Sequence, residues 1–196
     1  LSAIESKSGA SGDGRIHCHF VKLSPILVAL LLTYGIALAQ NPPLTESKLK
    51  AAFLFNFAKF VEWPPAAFAA TNSPITIGIL GDNPFGSDLE DIVRDKTINN
   101  RSIVIKTLHS VTQSTNCQVL FFGTTEKKRM EEMIASLGNA SILTVGDGDP
   151  FTETGGMINF IKEGNKIRFR INEVAAQHAG LKISSKLLSL ASRTVR

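Results

Sequence analysis

Few residues of this chain have types and spacings that could do chemistry. Asp147-Gly148-Asp149-Pro150 and Glu153 place three carboxylates within seven residues, a donor set of the kind that holds Ca²⁺. The spacing misses the EF-hand pattern, and Asp-Gly-Asp-Pro is ordinary turn chemistry, so no metal site is expected. Gly81-Asp82-Asn83-Pro84-Phe85-Gly86-Ser87 joins a strand-like run to a helix-like one, where α/β proteins bind phosphate. It lacks the Lys that a P-loop needs before its Ser, and Asp82 would repel an anion, so an ordinary turn is the reading. His109 and His178 sit at no spacing that pairs them with Cys117, a Gly-x-Ser-x-Gly elbow or a second metal ligand. That inventory proposes no reaction, no cofactor and no catalytic residue.

Lys166, Arg168 and Arg170 alternate with Ile167, Phe169 and Ile171, so in a strand the three cations share one face. Such a face either protects an edge strand or meets an acidic partner or anionic ligand. The strand belongs to a hairpin. Ile158 and Phe160 alternate before it, and Lys162-Glu163-Gly164-Asn165 supplies the turn, with Gly164 or Asn165 able to take positive φ. Asn172 then stands as N-cap for a helix ending near Gly180. A further helix starts after Ser184, with Leu187, Leu188 and Ala191 on one face.

The first residues read differently from the rest. Leu23 to Leu38 is an apolar run preceded by Lys22 and closed by Ala37-Leu38-Ala39, a small-x-small pattern that signal peptidase accepts. At 16 residues it is short for a membrane span of about 20. Residues 1–39 are therefore expected to be a signal peptide cleaved after Ala39. All three methionines lie at 130, 133 and 157, and a start at Val21 would make residues 1–20 an artefact. On that reading His17-Cys18-His19, three residues of metal-ligating type, has no role.

Residues 40–196 suit one exported domain with its own core. The formal charge of the whole chain is +4, and removing residues 1–39 leaves +3, too mild and scattered to indicate nucleic acid. Cys117 is then the only cysteine, so no internal disulfide can form, and it is expected to be a buried small hydrophobe. Alternation of strand and helix from Pro74 onward predicts a three-layer α/β fold. It has a mainly parallel sheet of about five to six strands, flanking helices and the C-terminal hairpin at one edge. Strands are expected at Ile75–Leu80, Arg101–Leu108, Cys117–Phe122 and Ser141–Val145, with helices at Ser87–Asp95 and Glu126–Leu137. Before them, a helix capped by Thr45 should continue to Trp63 and stop at Pro64-Pro65. Its wheel places Leu49, Phe53, Phe57, Phe60 and Val61 toward the core, and leaves Phe55 exposed among charges. Lys50 stands near the apolar arc, its stem packing while its ammonium reaches off the helix end.

The segment Lys50-Ala51-Ala52-Phe53-Leu54-Phe55-Asn56-Phe57-Ala58-Lys59-Phe60-Val61-Glu62-Trp63-Pro64, together with Gly155 to Ala191, resembles the YfiR-like family of small periplasmic proteins. The likeness covers most of the chain after residue 44. It implies an exported α/β protein that binds and holds back the periplasmic sensor region of a membrane-bound diguanylate cyclase. Cyclic-di-GMP and biofilm formation would fall as a result. The alternative is a periplasmic small-molecule sensor on the same fold. Candidate partner-binding residues are Phe55, Lys59, Trp63, Arg168 and Arg170, and candidate ligand contacts are Lys50 and Asn56. A homodimer and a small ligand both stay open as partners.

Overall fold

The computed structural model of the chain describes residues 44–123 and 129–195. The expected signal peptide, the extension at 1–20 and the first residues of the helix expected from Glu126 lie outside them. Helix α1, Glu46–Phe60, starts as its sequence dictates, with Thr45 Oγ1 accepting the Lys48 backbone N–H at 3.2 Å. It ends three residues before the expected stop. Val61–Glu62 leave the helix as a short strand, β1, and pair antiparallel with Lys182–Ile183, β9, while the Ser184 N–H bonds the Phe60 carbonyl at 3.0 Å. A β-branched residue approaching Pro64 gains more from these partners than from another helical turn.

The rotation of α1 also differs from expectation. Lys50, Ala51, Leu54, Phe57 and Ala58 are buried, whereas Leu49, Phe53 and Phe60 are only half-buried, which turns the helix by about a quarter turn from its predicted arc. Large apolar side chains on nearly every side of this segment blur its period. The small residues Ala51 and Ala58, fully buried, mark where the rest of the fold comes closest.

The expected sheet is present. β2 (Ile75–Leu80), β4 (Arg101–Leu108), β5 (Val119–Phe122), β6 (Leu143–Asp147) and β7 (Ile158–Glu163) are parallel, in the lateral order β7-β6-β5-β2-β4. Counted along the chain this is the doubly wound order 5-4-3-1-2. All six residues of β2 are buried, as befits a central parallel strand covered on both faces. β8 (Lys166–Asn172) returns antiparallel to β7 around Gly164, which takes φ +61°. The hairpin is not the edge of the sheet, because β10 (Arg193–Val195) adds parallel to Arg170–Asn172 of β8. At the other side β3 (Thr97–Ile98) pairs with the start of β4.

On one face α1, α2 (Asp88–Val93), α4 (Glu173–His178) and α5 (Ser185–Leu190) cover Ile77, Ile79, Val119, Phe121, Phe160 and Phe169. Phe57 anchors this layer, with ring centroids 5.0 Å from Phe169 and 5.5 Å from Phe160. On the opposite face α3 (Met130–Leu137) and the loop bearing Phe151 cover Leu80, Leu120 and Phe122. Gly146 and Gly156 lie flat against the Phe151 ring, where a Cβ on either would collide with it.

Candidate functional site

The sheet ends where α1 crosses it, and a charged cleft of about 380 Å³ opens there. Asp147, the last residue of β6, pairs in register with Phe160, so its carboxylate stands on the α1 side. It accepts the Lys50 ammonium at 2.7 Å, and Glu46, one turn earlier on α1, takes the same ammonium at 2.8 Å. Lys162 reaches Glu46 from β7 at 3.1 Å. Lys50 therefore does not reach off the helix end into solvent. Its side chain is 9 % exposed, and the two carboxylates hold it inside the protein. Burial pushes the ammonium down, but the hydrogen bonds to Asp147 and Glu46 outweigh it and raise its pKa above the ordinary lysine value. Glu46 is held below the ordinary carboxylate range, first by its hydrogen bond to Lys50 and then by Lys162.

On the opposite sheet face Arg170 Nη1 lies 2.8 Å from Asp149 Oδ1 and 3.6 Å from Glu153 Oε1. Asn159, fully buried beside it in register, donates its amide to Asp149 at 3.0 Å. The three carboxylates with a Ca²⁺-like spacing thus face cations of the protein itself, Asp147 toward Lys50, and Asp149 and Glu153 toward Arg170. What this arrangement does chemically is fix the hairpin and α1 to the sheet end. Asp147 and Lys50 are 97 residues apart. The sequence signal for them was only that Lys50 stood on an apolar arc.

The remaining candidates fall into separate places. Phe55 is not exposed. It is half-buried against the core, with the Lys96 ammonium 4.9 Å from its ring centroid. Lys59 is exposed, with its ammonium 5.8 Å from the Phe60 ring. Trp63 is tied to the sheet, its indole N–H donating to the Gln118 carbonyl at 3.1 Å. Asn56 is half-buried on α1. Arg168 is exposed, 3.6 Å from Glu163, and Arg170 is half-buried in the cluster with Asp149. Since Arg168 and Arg170 stand on the sheet face away from Phe169, they and α1 with its Phe55 lie on opposite sides of the sheet. These residues do not form one surface.

Cys117 is buried, at 4 % exposure, its Sγ close to Gly78, and burial pushes its thiol pKa up. His109 and His178 are both exposed.

Fold and charge pattern together define a doubly wound α/β domain with an antiparallel C-terminal hairpin. The chain belongs to the YfiR/HmsC-like family, whose model matches residues 47–192. No curated protein matches it. Two solved structures share the fold at low identity. A conserved domain protein from Vibrio cholerae O1 biovar El Tor is 14% identical, with a TM-score of 0.51 over 76% of this chain. An ABC domain from Streptococcus pneumonia in complex with L-Trp is 13% identical, with a TM-score of 0.52 over 74% of this chain. The chain spans 60% of the length of each.

Proposed function

We propose that the protein is a periplasmic regulator without enzymatic activity. It binds the periplasmic sensor region of an inner-membrane diguanylate cyclase and keeps cyclic-di-GMP synthesis, and with it biofilm formation, low. The observation that carries this reading is the family match over residues 47–192, which takes in both α1 and the hairpin. Support comes also from the chemistry of the described residues. The charged groups at the sheet end are spent on one another, and the single described thiol is buried. Export by a signal peptide cleaved after Ala39 would bring the protein to the compartment of its partner. Inhibition requires that the protein bind the inactive cyclase better than the active one, since equal affinity for both shifts nothing.

The test is to capture binding partners from detergent-solubilised membranes with the protein purified from the periplasm. The expected product is an inner-membrane protein with a cyclase domain. A transporter or sensor kinase in its place would favour the second reading, a small-ligand sensor. That reading draws on the cleft at the carboxyl ends of β6 and β7, the side on which doubly wound sheets hold ligands.

A further inference from the structure

A second cleft, of about 450 Å³, lies between α1 and β8 and shares Ile167 with the charged cleft. Its floor is apolar. Leu49 and Phe53, one turn apart on α1, face Ile167 and Phe169 of β8, and Leu190 at the end of α5 closes one side while remaining 56 % exposed. Phe53 fits this wall through its ring contact with Phe169, at a centroid distance of 5.5 Å. Lys166 and Arg168, whose side chains leave β8 on the opposite sheet face, border the cleft only along the open edge of that strand, and no carboxylate lines it. Glu163 approaches Arg168 at 3.6 Å, but both side chains are about half exposed, and such a contact holds a cation weakly. Lys166 has no partner among the described residues. β10 covers β8 only from Arg170 to Asn172, so the edge from Lys166 to Arg168 carries no neighbouring strand among the described residues. The Phe169 carbonyl already accepts the Ser192 N–H at 2.9 Å.

We propose that this cleft docks an apolar segment bearing carboxylates, supplied by the sensor region of the partner cyclase; the proposal rests on the regulator reading above. Charge complementarity selects that occupant. A second copy presenting the same surface about a twofold axis would bring two pairs of cations together with no carboxylate between them. An acidic apolar segment instead buries its side chains on Ile167, Phe53 and Leu190 and meets Lys166 and Arg168 at the rim. If extended, it also reaches the open backbone edge of β8. An exposed apolar anchor beside an Arg is the composition from which interfaces draw most of their energy.

The test uses a strain lacking the protein, complemented with the wild type, Ile167→Glu, the double variant Lys166→Glu with Arg168→Glu, and a control, Val174→Glu. Val174 is an exposed apolar residue of α4 that does not line the cleft. Cellular cyclic-di-GMP is measured alongside the melting temperature and sedimented mass of each purified variant. Wild type and Val174→Glu are expected to restore a low level, while both cleft variants leave it as high as in the deletion strain. The double variant alters only exposed side chains, so it decides the matter if Ile167→Glu melts early. Repression by the double variant equal to wild type overturns the cleft and leaves the regulator reading standing. Deletion without any rise in cyclic-di-GMP removes the regulator reading and the docking proposal with it. A wild-type dimer that Ile167→Glu splits makes the cleft a self-interface and also overturns the proposal.

Discussion

Lys50 is a cation on the buried side of a helix, and its worth depends on the two carboxylates that meet it. Replacing it by Met leaves Asp147, whose side chain is 20 % exposed, facing an uncharged chain end. Breaking a largely buried pair in this way costs about 3 kcal/mol, whereas Lys162→Met, at an exposed pair, should cost under about 1 kcal/mol. Urea unfolding of the two variants checks the order, and equal costs would mean that Asp147 does not depend on Lys50. The pH dependence has a definite sign. The folded pKa of Lys50 is raised, so its contribution is fully present below the ordinary lysine value and is lost as pH rises through the folded one, above about pH 10. That of Glu46 is lowered, so its contribution is present above the ordinary carboxylate value and is lost as pH falls below about 4. Between those limits the cluster should leave stability flat, and in Lys50→Met the alkaline loss should shrink. For Cys117, burial and a raised pKa both predict slow labelling of the native protein by a thiol reagent, with rapid reaction only after unfolding. Fast labelling would place the thiol at the surface.

At the scale of elements, α1 gives the sharpest test. Leu54 and Phe57 are fully buried, so Leu54→Ala should cost about 2–5 and Phe57→Ala about 3–5 kcal/mol. Phe55→Ala should cost less than either, because its ring is only half covered. If the Phe55 variant melts as early as the Phe57 variant, the observed rotation of α1 is wrong. Gly146→Ala tests the opposite face, where a Cβ would strike the Phe151 ring; a loss of about 1–3 kcal/mol is expected from overpacking, partly relieved by Phe151→Leu. The same elements show what was legible beforehand. Thr45, Asn172 and Ser184 announce their helices because capping is local, and each side chain does accept the N–H three residues on. The hairpin was legible for the same reason, its turn and alternation lying within fifteen residues, Ile158 to Asn172. The rotation of α1 was not, since apolar residues on nearly every side leave the period to tertiary packing. Strands such as β1, β9 and β10, with two or three residues each, exist only because a partner lies beside them.

For the whole molecule, the sequence carried the alternation that makes a doubly wound sheet but not what closes its ends. The Lys50–Asp147 contact spans 97 residues, and nothing local in either segment indicates the other. Candidate contacts chosen by residue type were split by the fold, Phe55 going to the α1 side of the sheet and Arg168 with Arg170 to the other. Only Arg168 borders the apolar cleft. On the proposed reading, the charges at the sheet end are paired with one another and an apolar cleft bordered by cations is left to hold the partner. Binding alone would not establish that role, because equal affinity for both states of a cyclase changes nothing. The direct measurement is the rate of cyclic-di-GMP synthesis from GTP by membrane vesicles containing the captured cyclase, with the purified protein titrated onto the periplasmic side. The account predicts a rate that falls to a saturating low level as the protein is added, and falls less with the Lys166→Glu, Arg168→Glu variant. A rate unchanged while the protein demonstrably binds the vesicles would contradict it.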